Sequence, residues 1–263
     1  MSEYPIRSRQ QKILEYINKS GLASVKDLAS IYSVSQMTIR RDIDHLAQAK
    51  LLCKIKGGAQ CLEESVKFHE AHLRARLETN VAAKQRLADK AASLIDPGDT
   101  VFLDGSTTMI CLAQVLARYN RRITVVTNSV LIALELVNAE NVRLLSLGGV
   151  FDRETFTFTL PAGGNAGFDY HFAKAFMSCS GFVPGEGTYE NSVANLSLKR
   201  QVARNADTVH LVVDTEKFGK RALNRVLGME DIDMLITEPA YDAQYKTLIS
   251  KCGISECLTD DKR

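Results

Sequence analysis

The segment Asp104-Gly105-Ser106-Thr107-Thr108 combines residue types that together bind phosphate groups. Glycine lets the backbone come close to an anion, and hydroxyl groups beside the free N–H groups of a helix N-terminus form a phosphate cradle. Three more polar clusters occur further along the chain: Thr127-Asn128-Ser129, Gly148-Gly149 and Asp214-Thr215-Glu216-Lys217. Hydroxyl, amide, carboxylate and amine groups in combination suit a polyhydroxylated, phosphorylated ligand.

Each of these clusters follows a short apolar run that is typical of a buried β-strand. The runs lie at residues 100–103, 123–126, 142–147 and 208–213, with further strand candidates at 173–178 and 233–237. Helical patterns at residues 87–95, 106–118 and 129–137 alternate with them, which predicts a mostly parallel sheet covered by helices on both faces. Because ligands of such sheets bind beyond the carboxyl ends of the strands, the clusters are predicted to meet at one edge.

Helix capping offers a second explanation for every cluster, since Ser, Thr, Asn and Asp are common at helix starts. For one cluster alone, capping is the simpler interpretation. Four clusters at equivalent strand ends favour a shared effector site. Its predicted members are Asp104, Gly105, Ser106, Thr107, Thr108, Thr127, Asn128, Gly148, Gly149 and Lys217.

The first sixty residues predict a different chemistry, the recognition of double-stranded DNA. They hold ten Lys and Arg against five Asp and Glu, whereas the rest of the chain holds 23 against 26. A basic block on an acidic body indicates a polyanionic partner. Three helical patterns, at residues 9–19, from Ser24 and from Ser35 to about residue 49, have the spacing of a helix-turn-helix.

The third helix is the predicted recognition helix, with Ile39, Ile43 and Leu46 on its inner stripe. Its N-terminal end enters the major groove, where Arg binds guanine and Gln binds adenine. The residues predicted to face the bases are Gln36, Thr38, Arg40 and Arg41.

A two-stranded wing is predicted at residues 51–59, where apolar and basic residues alternate before Gly57-Gly58. Lys54 and Lys56 are placed there for contact with phosphates. Periodicity alone leaves a plain three-helix unit with solvated arginines as an equal alternative.

Residues 8–60 resemble the DNA-binding domain of the DeoR family of regulators. The resemblance is carried by SRQQKILEYINKSG, VKDLASIYSVSQMTIRRDIDHLAQAKLL and KIKGGA. The segment from Val34 to Ile43 matches the recognition-helix signature of the family almost throughout.

Residues 76–240 resemble the sensor domain of the same family. The matching segments are DGSTT, VVTNS, LLSLGG and VVDTEKFG, with Arg76, Asn80 and Lys84 upstream. The resemblance implies a fold similar to ribose-5-phosphate isomerase, with residues 104–108 at the phosphate or nearby hydroxyls and Asn128, Gly149 and Lys217 lining the rest of the site. In two places the chain departs from the family pattern: Asn195 stands where an acidic residue is common, and residues 151–168 match only loosely.

The sequence therefore predicts an α/β protein with a winged helix-turn-helix at residues 1–60, a linker at 61–80 and a larger, mostly parallel effector-sensing domain at 81–263. The predicted function is sequence-specific repression of a sugar or carbohydrate catabolic operon, controlled by a phosphorylated sugar. The implied partners are a palindromic or repeated operator in double-stranded DNA, the sugar phosphate, and further copies of the chain in a homodimer or homotetramer. No cofactor, metal or catalytic residue is predicted.

Two other functions compete with this one. An isomerase of the resembled fold needs a general base, and the loop around Gly181 offers only Glu186 and Glu190 in place of a carboxylate-rich motif. An architectural DNA binder, whose large domain only oligomerises, would ignore every metabolite.

Composition narrows the setting of the protein. No apolar run approaches the ~18 residues of a membrane span, and the N-terminus lacks a secretory signal pattern, so a cytoplasmic, nucleoid-associated protein is expected. The six cysteines show no paired spacing and are interpreted as reduced thiols. His69 and His72 have the spacing of a metal pair, but no further ligand stands at a suitable distance, so surface histidines are the preferred interpretation.

Overall fold

A computed structural model of the chain describes residues 8–49, 51–61, 73, 75–159, 170–193 and 195–260. The chain forms two compact units that divide between residues 75 and 76. This division falls inside the stretch that the sequence assigns to a linker, most of which lies outside the described residues.

The smaller unit consists of three helices and a three-stranded antiparallel sheet. Its elements are α1 (Ser8–Ser20), β1 (Leu22–Ser24), α2 (Val25–Ile31), α3 (Gln36–Gln48), β2 (Leu52–Ile55) and β3 (Gly58–Cys61), with strand order β1-β3-β2. Hydroxyl caps begin two helices as predicted: Ser24 Oγ accepts from the Asp27 N–H of α2, and Ser35 Oγ accepts from the Thr38 N–H of α3. The core is formed by buried side chains of all three helices and the wing.

The wing contains one strand more than the sequence predicts. β1 pairs with β3, and a Cβ placed on Gly58 would lie 2.2 Å from the carbonyl oxygen of Ala23 in β1. Only glycine permits this approach, whereas the neighbouring Gly57 forms the turn with a φ of +83°. The two glycines of the motif therefore have different tasks.

The larger unit is built on a seven-stranded sheet in which every neighbouring pair is parallel, in the order β15-β14-β12-β9-β4-β5-β6. The strands are β4 (Thr100–Leu103), β5 (Ile123–Thr127), β6 (Val142–Ser146), β9 (Phe172–Met177), β12 (Ala206–Val212), β14 (Met234–Thr237) and β15 (Ser255–Leu258). Its helices are α4 (Val81–Ser93), α5 (Thr107–Leu116), α6 (Val130–Leu136), α7 (Leu196–Arg204) and α8 (Ala243–Lys251). The predicted fold class is confirmed.

Two smaller antiparallel sheets lie outside this seven-stranded sheet. One is a hairpin of β7 (Val150–Asp152) and β8 (Thr157–Thr159). The other contains β10 (Gly181–Val183), β11 (Gly187–Glu190) and β13 (Asn224–Arg225).

The central strands are buried on both faces, which explains their unbroken apolar sequence. In β4, Val101 and Leu103 pack in the cluster that includes α4, α5 and α6, while Phe102 packs on the other side with Phe172 and with α7. The edge strand β15 escapes sequence prediction because its sequence, Ser-Glu-Cys-Leu, is polar and partly exposed.

A buried histidine in the central strand β12 gives the larger unit a pH-dependent stability. The ring of His210 stacks on Phe176 with centroids 4.6 Å apart, and burial, together with the nearby Lys174 ammonium, lowers its pKa from 6.5 to about 4. The unfolded chain therefore takes up this proton near pH 6.5 and the folded chain only near pH 4. The contribution of the neutral His210 to the stability of the fold is fully present above about pH 6.5 and falls as the pH drops towards 4.

Between pH 7 and pH 5, the free energy of unfolding of the wild type is expected to fall by about 2 kcal/mol because of His210. We expect His210→Gln, which cannot titrate, to lack this contribution. Urea denaturation of both full-length proteins at the two pH values measures this difference. An equal pH dependence in the two proteins would contradict the assignment of a buried neutral histidine.

Candidate functional site

Adjacent parallel strands bring the predicted effector residues to one edge of the sheet. β4 ends beside β5, with Leu103 in register with Thr127, and Asp104 and Asn128 follow directly. β9 separates β4 from β12, and Ser178 at its end links the two sides. The Ser178 N–H donates to Asp104 Oδ2 at 3.0 Å, and Lys217 Nζ donates to Ser178 Oγ at 3.1 Å.

The carboxylate of Asp104 is engaged within the protein. It is 2% exposed; Oδ1 accepts from the Ser106 N–H at 3.0 Å, and Oδ2 also lies 2.7 Å from Lys199 Nζ. Asp104 thus fixes the loop between β4 and α5. Its predicted contact with an effector stays a prediction.

Lys199 of α7 is the buried cation at the centre of this edge. Its ammonium pairs with Asp104 and Glu190 and donates to the Ser178 carbonyl at 2.7 Å. Burial lowers the pKa of Lys199, but the two carboxylates outweigh burial and raise it above its ordinary value. The sequence analysis does not single out Lys199. The pattern that could have identified it is its place next to Leu198 and three residues before Val202, on the buried face of an amphipathic helix.

A second group of amines forms a positive region at the same edge. Lys217 Nζ lies 3.4 Å from Asp214 Oδ2. Lys84, 4% exposed, donates to the carbonyls of Arg76 and Thr79, and within the described part of the chain no carboxylate lies at ion-pair distance from it. Burial lowers the pKa of Lys84, and the Lys217 ammonium lowers it further. Two amines near one carboxylate favour an anionic ligand.

Amide and hydroxyl groups form a neutral region on the opposite side of Asp104. Asn128 Nδ2 donates to the Phe158 carbonyl and to Asn195 Oδ1, both at 2.9 Å. Asn195 Nδ2 donates to Thr157 Oγ1 at 3.0 Å. Asn195, the departure from the family pattern, is therefore the link between β5, the hairpin and the start of α7.

The β7–β8 hairpin covers the glycine of the predicted phosphate loop. Thr157 is fully buried, and a Cβ placed on Gly105 would lie 2.2 Å from its Cγ2 atom. The Phe156 carbonyl accepts from the Val130 N–H at 3.1 Å, and Phe156 itself has a φ of +55°. A bulky residue in this left-handed conformation is strained, which is common where a segment must be held in place near a ligand.

The other predicted effector residues differ in their contacts and in their exposure. Ser106 Oγ caps α5 through the Met109 N–H, and Thr127 Oγ1 donates to the Leu103 carbonyl at 2.8 Å. Thr107 and Thr108 are buried, and Thr108 Oγ1 has no hydrogen-bond partner among the described residues. Gly148 and Gly149 are exposed and lead into the hairpin.

The two glutamates considered as general bases are both engaged. Glu190 accepts from Ser180 Oγ at 2.7 Å and pairs with Lys199. Glu186 is held by Arg221 and Tyr189, which lower its pKa to about 2. A general base needs a pKa closer to neutrality.

The predicted DNA-contacting residues lie in the smaller unit. Gln36, Arg40 and Arg41 are exposed on α3, and Lys56 is exposed at the wing turn. Thr38 is only partly exposed, with Oγ1 2.9 Å from Ser35 Oγ. Lys54 is exposed in β2 and forms an ion pair with Asp44 of α3.

Comparison with known families identifies both units. Residues 9–65 match the DeoR-like helix-turn-helix domain, and residues 79–239 match the DeoR C-terminal sensor domain. The chain belongs to the DeoR family. It is a DNA-binding transcriptional regulator. The family therefore confirms the prediction of a regulator and does not support the alternative of an isomerase.

Relatives in the DeoR family align along nearly the whole chain. An uncharacterized HTH-type transcriptional regulator, YulB of Bacillus subtilis, is 34% identical over 94% of both chains. The lactose phosphotransferase system repressor of Lactococcus lactis is 31% identical, covering 91% of this chain and 93% of the relative. The L-fucose operon activator of Haemophilus influenzae is 31% identical, covering 88% and 91%.

Among solved structures, ribose 5-phosphate isomerase A of Methanocaldococcus jannaschii is similar to part of the chain. The TM-score is 0.41 at 15% identity, with coverage of 53% of this chain and 55% of that one. A likeness of this degree carries no information on chemistry.

None of the helices in the described ranges is long and apolar enough to cross a membrane. The same residues hold no group of three or more side chains suited to a metal ion, and His69 and His72 lie outside them.

The contact between Gly105 and Thr157 leads to a test by paired substitutions. Gly105→Ala is expected to lower the free energy of unfolding by roughly 1–3 kcal/mol, because its Cβ overlaps Thr157 Cγ2. Thr157→Ser removes that methyl group but keeps the hydroxyl bonded to Asn195. The double variant should therefore recover most of the loss in urea denaturation, with Thr157→Ser alone as the control. A double variant as unstable as Gly105→Ala would show that this contact is not the cause.

Proposed function

We propose that the chain represses a sugar or carbohydrate catabolic operon and that a phosphorylated sugar, bound at the carboxyl edge of the parallel sheet, controls its binding to DNA. The observation that carries the proposal is that a positively charged region and a neutral polar region lie on the two sides of the loop at residues 104–108. Lys84 and Lys217 form the positive region. Asn128 and Asn195 form the neutral one.

These two regions suit the two ends of a sugar phosphate. The positive region favours a dianionic phosphate through charge-assisted hydrogen bonds, which are stronger than neutral ones. The amides and the hydroxyl of Thr157 suit sugar hydroxyls, which both donate and accept hydrogen bonds. Two relatives named for the lactose system and the L-fucose operon support a sugar-related target.

Control of DNA binding requires that the effector bind two arrangements of the protein unequally. A ligand with equal affinity for both would shift nothing, however tightly it bound. Of the described elements, the hairpin is best placed to change position when the effector binds. Its Thr157 contacts Gly105 of the predicted phosphate loop and Asn195 at the start of α7.

The DNA target follows from the single recognition helix in each chain. Regulators of this type place paired recognition helices on half-sites spaced by turns of the DNA helix. We therefore propose a homodimer or homotetramer on a palindromic or repeated operator.

The experiment is fluorescence anisotropy of the full chain on labelled DNA from its own upstream region, at about 150 mM salt with nonspecific competitor. Phosphorylated and free sugars are then titrated into the complex. We expect one sugar phosphate to release the DNA and its unphosphorylated form to have no effect. Tight binding that no metabolite alters would leave an architectural DNA binder in place of the sensor.

Substitution of the two amines separates sensing from DNA binding. Lys84→Met and Lys217→Met should each raise the half-effective concentration of the sugar phosphate at least about tenfold, because each removes a charge-assisted hydrogen bond. Their affinity for DNA without effector should equal that of the wild type. Lys251→Gln, which changes an exposed lysine on α8, is the matched control. A response unchanged in both amine variants would place the effector elsewhere.

A further inference from the structure

Of the four residues predicted to read bases, only Arg41 lies on the part of α3 that points directly away from the core. The buried side chains of α3 are Ile39, Asp42, Ile43 and Leu46. At about 100° per residue, the direction opposite to their mean lies close to Met37, Arg41 and Asp44, each within roughly 30°. Gln36 and Thr38 lie near right angles to that direction.

Local contacts agree with this geometry. The Thr38 hydroxyl is 2.9 Å from Ser35 Oγ, and the Thr38 N–H donates to the same oxygen. This side chain therefore belongs to the cap that begins α3. Arg40 and Arg41 are both exposed, and Arg41 is the one that lies closer to the outward direction.

Met37 is an apolar side chain in an unusual place. It is 61% exposed in the first turn of α3, on the side away from the core. Apolar side chains in the major groove contact the C5-methyl group of thymine. The flexible thioether of methionine adapts well to such a contact.

Asp44 presents a carboxylate on the same face, where an anion is unfavourable next to DNA phosphates. It is paired with Lys54 of β2, and the side chains are 46% and 57% exposed. An ion pair this exposed contributes little stability, at most about 1 kcal/mol. In the major groove, however, a carboxylate accepts a hydrogen bond from cytosine N4. Lys54 would then offset the negative charge and hold the carboxylate in place.

We propose that Met37 and Asp44 are specificity-determining residues that read a thymine and a cytosine, on either side of a guanine bound by Arg41. With a rise of 1.5 Å per residue, Met37 and Asp44 are about 10 Å apart along α3, which spans roughly three base pairs. The proposal rests on the DNA-binding function of the DeoR family.

The test is selection of bound fragments from a random DNA library, with the full-length wild type, Met37→Ala and Asp44→Asn compared at equal salt. We expect Met37→Ala to lose preference for thymine at one position and Asp44→Asn to lose preference for cytosine at another, each by roughly five- to tenfold. Leu22→Ala and Glu15→Gln, exposed residues of the same unit outside α3, are controls and should leave every position unchanged.

Asp44→Ser provides a second probe, since it removes the carboxylate with a smaller side chain. If both Asp44 variants shift the affinity for all sequences equally, Asp44 serves only the wing and the proposal is wrong for that residue. An unchanged thymine preference in Met37→Ala overturns the other half. Failure of the wild type to select any sequence would instead overturn specific DNA binding itself.

Discussion

The ion pairs of the buried Lys199 ammonium are the interaction on which the carboxyl edge of the parallel sheet depends. Removing two charges from water costs several kcal/mol per ion, so such a group persists only when its partners satisfy it fully. Asp104, Glu190 and the Ser178 carbonyl do so, and they come from the ends of β4, β11 and β9. One side chain of α7 thereby fixes the loop that opens α5. Removing Lys199 would leave two neighbouring carboxylates without their cation in the interior.

Around that fixed centre the edge is divided by charge. Lys84 donates to two backbone carbonyls and lies near a second amine, and no carboxylate among the described residues lies at ion-pair distance from it. Asn128 and Asn195 satisfy one another and bind the hairpin through Phe158 and Thr157. In the proposed function, an effector that bridges the two regions would contact both the loop at residues 104–108 and the hairpin. Under the proposed function, such contacts would link ligand binding to the position of the hairpin backbone.

In the DNA-binding unit, a separate constraint applies to α3, which has one face in the core and one face outside it. The inner face must fill the core with Ile39, Ile43 and Leu46. Asp42 is also inward, where Arg9 and Gln10 satisfy its carboxylate at 2.6 and 3.0 Å. The geometry of these buried contacts fixes which residues remain outside, so the rotation of α3 that fills the core also decides which side chains face outward.

The sequence by itself determined the two-part organisation, the helix caps at Ser24 and Ser35 and the strand-end clusters, because caps, turns and apolar runs are local signals. It could not identify the pairing of Lys199 with Asp104, of Asn195 with Asn128 or of Thr157 with Gly105, since these contacts join residues that are 95, 67 and 52 positions apart. The polar strand β15 pairs with β14, and the hairpin is held against β5 and α6, through contacts between residues that are distant in sequence. Only the tertiary structure decided these features, because a buried charge or a close approach depends on what the folded chain places beside it.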